Sequence, residues 1–64
     1  MTAEEARQNL EDTYFTYRIT ISGLDEENYY FKGEDNEGSF DAKYNKSGEK
    51  YYTKQSYGWS ELEV

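Results

Sequence analysis

At Thr13 the apolar spacing of this chain changes from a helical stripe to a period of two, and the alternation recurs as far as Tyr57. Before the change, Ala3, Ala6 and Leu10 fall on one stripe, with Glu4, Arg7, Gln8 and Glu11 outside it. Thr2 stands where an N-cap belongs, and Glu5 three residues later completes a capping-box pattern. Acids in the first turn also suit the positive end of a helix dipole. After the change, Phe15, Tyr17, Ile19 and Ile21 alternate with Tyr14, Thr16, Arg18 and Thr20, a β-branched and aromatic run that reads as a strand.

Turn residues divide the rest. Ser22-Gly23 ends the first strand, and Leu24 to Asn28 form an acidic loop. Tyr29 to Lys32 read as a second strand and Gly33 to Gly38 as a hairpin turn. Ser39 to Tyr44 form a third, with Phe40, Ala42 and Tyr44 on one face; Asn45-Lys46-Ser47-Gly48 is the next turn. Lys50 to Tyr57 form a fourth, with Tyr51, Thr53, Gln55 and Tyr57 on one face and Lys50, Tyr52 and Lys54 on the other. After Gly58 and Trp59, Ser60 to Glu63 either cap a last short turn or fray. The expected fold is α+β in a single domain over 1–64. A short N-terminal helix (1–12) precedes a four-stranded antiparallel β-meander (13–59) and a short C-terminal tail (60–64).

Such a chain has a thin core. Its large aliphatics are Leu10, Ile19, Ile21, Leu24, Leu62 and Val64, with Met1 at the end; eight Tyr, three Phe and one Trp supply most of the remaining apolar surface. Each tyrosine brings a ring to bury and a hydroxyl that needs a partner or water. Domains of this size usually need a staple, and the absence of Cys removes disulfides and thiolate metal sites. Self-association is the remaining way to bury more surface, so a homodimer is expected. The N-terminus has neither the basic region nor the apolar stretch of a signal peptide, and no apolar run approaches a membrane span, so a cytoplasmic location is expected.

The residue inventory argues against chemistry. Without His or Cys, a nucleophile would have to be Ser or Tyr activated by Lys or a carboxylate, and no local pattern supports that. Paired acids could serve a glycosidase, but a chain this short can hardly enclose a cleft. The acidic clusters around Asp25 and Asp35 miss the offsets of an EF-hand loop. The expectation is a non-enzyme without metal or cofactor. Lys43, Lys46, Lys50 and Lys54 sit among Tyr44, Tyr51, Tyr52, Tyr57 and Trp59, a mixture that can track a nucleic-acid strand. Lysines facing outward on an edge strand also block edge-to-edge aggregation, and the domain as a whole is acidic, so direct nucleic-acid binding is not expected.

Charge is the most informative property. Fourteen acids stand against seven bases, a net charge of −7, and residues 1–41 hold eleven of the acids with three of the bases. Residues i and i+2 of a strand point the same way about 6.6 Å apart. Asp35 and Glu37, or Glu37 and Ser39 with Asp41 beyond, would therefore space charge on one face at intervals close to those of phosphates. Glu4, Glu5, Glu11 and Asp12 could add a row from the helix, and Asp25, Glu26, Glu27 and Glu34 fill the adjoining loops. In size, charge, aromatic content and lack of Cys and His, the whole chain resembles the small acidic proteins with which phages take over a host, especially DNA-mimic inhibitors. That resemblance implies occlusion of a basic DNA-binding host protein: a nucleoid protein, a polymerase subunit or a defence nuclease. Exposed Tyr29, Tyr30 or Tyr52 would add contact area of the kind found at interface hot spots. The alternative is an interaction module that uses a Tyr-rich sheet face, or a small subunit of a larger complex.

Overall fold

The computed structural model describes residues 1–64. One helix, α1 (Ala3–Thr13), precedes five strands: β1 (Arg18–Leu24), β2 (Asn28–Glu34), β3 (Ser39–Asn45), β4 (Lys50–Gln55) and β5 (Gly58–Leu62). The strands form one antiparallel sheet in the order β1-β2-β3-β4-β5, so the fold is α+β with β1 and β5 at its edges.

Helix α1 starts as its sequence dictates. The Thr2 hydroxyl accepts from the Glu5 N–H at 3.1 Å, and the Glu5 carboxylate accepts from the Thr2 N–H at 2.9 Å, which satisfies two donors that the first turn would otherwise leave open. Ala6 and Leu10, both 0% exposed, face a sheet surface made of Ile19, Phe31, Ala42, Tyr44 and Tyr51. The helix lies mainly over β1, where the Arg7 guanidinium also donates to the Ile19 carbonyl at 3.3 Å. Strand alternation then assigns two faces. The inner face carries Ile19, Phe31, Ala42, Tyr44, Tyr51, Thr53 and Leu62; Arg18, Lys32, Asp41, Lys43, Tyr52, Lys54 and Trp59 point away from the helix.

The structure corrects three of the expectations. The first strand does not begin at Thr13: the helix runs through Thr13, and Tyr14–Tyr17 form a turn closed by a Tyr17 N–H to Tyr14 carbonyl bond. The turn lets the rings of Tyr14 and Tyr17 meet Phe40 at centroid distances of 5.3 and 5.0 Å, and it leaves Phe15 82% exposed. Gly33 makes room for this cluster, because a Cβ there would overlap the Phe40 ring on the paired strand. Second, the sheet has five strands, not four. Gly58 adopts φ 125°, open to glycine and strained for other residues, and the chain reverses over Ser56 and Tyr57 so that Gln55 pairs with Gly58. Third, Ser60 to Leu62 therefore belong to β5 and not to a tail, while Tyr57 sits at the turn, 80% exposed. A register shift between Ile21 and Gly23 adds a further irregularity on edge strand β1, and Ile21 is left 39% exposed.

No helix is long and apolar enough to cross a membrane.

Candidate functional site

The carboxylates singled out in the sequence divide into those that hold the fold and those that are free. On α1, Arg7 stands between Glu4 and Glu11, with ion-pair distances of 2.7 and 2.8 Å. The hydrogen bond from Arg7 holds the Glu4 carboxyl below its ordinary value, and the Thr2 backbone N–H does the same for Glu5. Asp12 accepts from the Gln8 amide at 3.0 Å. In the β1–β2 loop, Asp25 accepts from the Glu27 and Asn28 N–H groups at 2.9 and 2.7 Å and from the Tyr30 hydroxyl at 2.8 Å. In the β2–β3 loop, Asp35 accepts from the N–H groups of Glu37 and Gly38 at 2.8 and 2.9 Å. These two aspartates shape their own turns, as Asx side chains do.

Glu26, Glu27, Glu34, Glu37 and Asp41 differ in kind. Their side chains are exposed and make no hydrogen bond or ion pair within the chain. Glu26 and Glu27 lie just before β2, and Glu34 and Glu37 lie at and beyond its other end. The expected strand rows are not formed: residues 35–38 are a loop folded around Asp35, so Asp35 and Glu37 do not stand at strand spacing, and Asp41 begins again on β3 opposite Lys32. Pairing of β2 with β3 requires a reversal between Glu34 and Ser39, which breaks any straight row through them.

The tyrosines separate as well. Tyr29 is on the inner face, stacked on Tyr44 at 6.0 Å, with its hydroxyl donating to the Met1 carbonyl; it is not the exposed contact expected of it. Tyr30 is on the outer face, half-buried, its hydroxyl held between Asp25 and Asn28. The bond to Asp25 raises the Tyr30 phenol above its ordinary value and, second to the Asn28 N–H, lowers the Asp25 carboxyl.

That lowering gives a pH dependence with a definite sign. A carboxyl whose folded value lies under its reference of 3.8 stabilises the fold above that reference, and the stability is lost as pH falls through the folded value. In an NMR titration the amide shifts of Glu27 and Asn28 should change together with a midpoint below 3.8. A midpoint at or above that value would show that the carboxylate does not hold the loop.

The sequence reading missed how charge is sorted. Five of the seven bases, Arg18, Lys32, Lys43, Lys50 and Lys54, project from the outer sheet face, together with only three acids, Glu34, Asp41 and Glu61. Everywhere else, Arg7 and Lys46 face eleven acids. On the outer face the Lys43 ammonium lies 4.5 Å from the Trp59 ring centroid and 5.5 Å from that of Tyr52, and Lys54 lies 5.5 Å from Trp59. Lys50 pairs with Glu61 at 3.4 Å. The alternation of Lys50, Tyr52 and Lys54 was legible; that Trp59 completes their cluster depends on β5. On the other side, a cleft of about 560 Å³ beside the helix is lined by Asn9, Asp12, Tyr44, Glu49 and Tyr51 among others. No three acidic side chains converge closely enough to hold a metal ion.

No protein-family model, curated protein or solved structure matches this chain.

Proposed function

We propose that this chain is a non-catalytic binding protein that docks its helix-and-loop side against the basic, DNA-contacting surface of a partner protein, its carboxylates standing in for phosphates. The observation that supports this reading is the imbalance of eleven acids to two bases outside the open sheet face. The carboxylates best placed for the role are the free ones, Glu26, Glu27 and Glu37 of the loops, with Glu34 on the outer face at the end of β2 beside them, because they give up no internal bond when a partner arginine or lysine approaches. The seven residue steps from Glu27 to Glu34 along β2 separate the two pairs by roughly 23 Å at about 3.3 Å per residue, comparable to about seven phosphates of one strand at about 3.4 Å each. Glu4 and Glu11 contribute field but share Arg7. The net charge of −7 speeds encounter with a basic target and makes binding salt-sensitive.

The test is capture of DNA-binding proteins from a bacterial lysate at low and moderate salt, with double-stranded DNA as competitor. The partner should be displaced by DNA and released by salt. The variant E26Q/E27Q/E34Q/E37Q should bind about tenfold more weakly, since four exposed pairs at roughly 0.4 kcal/mol each come to a little more than one factor of ten. Binding that resists both salt and DNA would overturn the reading.

A further inference from the structure

We propose that the open face of the sheet is a platform for a short single-stranded nucleic acid. Helix α1 packs on the inner face, so no element of the chain covers the outer one. That face collects five of the seven bases of an otherwise strongly acidic protein. It also holds three half-buried aromatic side chains, Tyr30, Tyr52 and Trp59, on three different strands. In register across the sheet, Tyr30, Lys43 and Tyr52 form one row, and Lys54 lies beside Trp59 in the next. Along β4 and across β2, β3 and β4 cations and rings therefore alternate, with ammonium groups 4.5 to 5.5 Å from ring centroids, while Glu34, Asp41 opposite Lys32 and Glu61 opposite Tyr52 leave the face a net excess of two bases.

Two simpler explanations for these lysines do not hold. Protection of a sheet edge would place them on β1 or β5, but Lys43 is on β3 and Lys50 and Lys54 are on β4, both interior strands. Solubility needs no lysine on a body of net charge −7, and it would not sort bases onto one face. Rings that offer a π-face with cations beside them match what an unpaired strand presents, bases to stack and phosphates to neutralise. In a duplex the base faces are already stacked, so rings on a sheet gain nothing there. A groove of about 310 Å³ on this face is lined by Ser22, Gly23, Tyr30, Asp41, Lys54 and Trp59 among others. Five strands at about 4.8 Å spacing give a width of roughly 19 Å, enough for a site of about four to six nucleotides. The carboxylates elsewhere repel the strand and confine it to this face.

Trp59 is the chain's one tryptophan, so its fluorescence reports on this face alone. Titration of the intact protein with a ten-nucleotide oligothymidylate at low salt should quench that signal, and moderate salt should reverse the quenching. By anisotropy of a labelled oligothymidylate, Trp59→Ala should weaken binding from about fivefold to more than a hundredfold, the range for loss of one stacked base. Lys43→Gln and Lys54→Gln leave the backbone ladder intact, and each should reduce the slope of log affinity against log salt by about 0.7 if it meets a phosphate. E26Q/E27Q/E34Q/E37Q should still bind the oligonucleotide, which separates this proposal from the function above. Absence of quenching at low salt, or equally strong binding of polyglutamate through the same lysines, would overturn it, the second result pointing to an acidic protein as occupant.

Discussion

Phe31→Ala is expected to cost about 3–5 kcal/mol, the range for truncating a fully buried phenylalanine. A domain of 64 residues has about 3–10 kcal/mol of stability in all at roughly 0.05–0.15 kcal/mol per residue, so the variant should lose about a third of that stability or more. The reason lies in its surroundings. Phe31 is 1% exposed and sits on β2 between β1 and β3, with Ala42 directly opposite and Gly33 two residues along its own strand. Ala42 is too small to fill the space the ring would leave, and the room over Gly33 is already taken by Phe40. Urea unfolding followed by tyrosine and tryptophan fluorescence measures the loss. A cost under about 1 kcal/mol would show that the site repacks and that Phe31 is not the centre of the core.

Leu10→Ala is the second large effect, at about 2–5 kcal/mol. Leu10 and Ala6 are the buried residues of α1, so shortening Leu10 removes most of the apolar contact that keeps the helix on the sheet. The remaining ties, Asn9 to the Tyr51 hydroxyl at 2.9 Å and Arg7 to the Ile19 carbonyl, hold it only through polar groups that water can replace. Amide exchange should accelerate first over Ala3–Thr13 and then across the inner-face strands, as Ile19, Phe31, Tyr44 and Tyr51 lose their cover. Ile21→Ala is the matched control. Although Ile21 alternates in step with Ile19, it is 39% exposed, and its truncation should cost under about 1 kcal/mol. Equal costs for Leu10 and Ile21 would contradict the packing described.

The contrast between Ile19 and Ile21 shows where reading the sequence stops. Period two states that both share a face; it does not state that this face is covered at one residue and open two residues later on an edge strand. Tyr44, Tyr51 and Tyr57 pose the same difficulty. All three were assigned to strand faces, yet the first two are buried and Tyr57 lies at a turn, because Gly58 at positive φ reverses the chain earlier than alternation alone requires. For the candidate site, the acids could be counted in advance, but Asp25 and Asp35 could not be distinguished from Glu26, Glu27, Glu34 and Glu37. The distinction is made by backbone N–H groups within 2.7 to 2.9 Å, which exist only once each loop has closed.

By itself the sequence determined the helix with its capping box, the α+β class, the antiparallel character of the sheet and the excess of negative charge. These follow from local rules: side-chain periodicity, turn residues and composition act over a few neighbours along the chain. Tertiary structure alone decided that β5 closes over β4, that no straight row of carboxylates forms at the β2–β3 turn, and that five bases scattered from Arg18 to Lys54 meet Trp59 on one uncovered face. Those outcomes depend on which strand lies beside which and on which face the helix covers. Both are set by burying Phe31, Leu10 and Ile19 together, a condition on residues far apart in the chain.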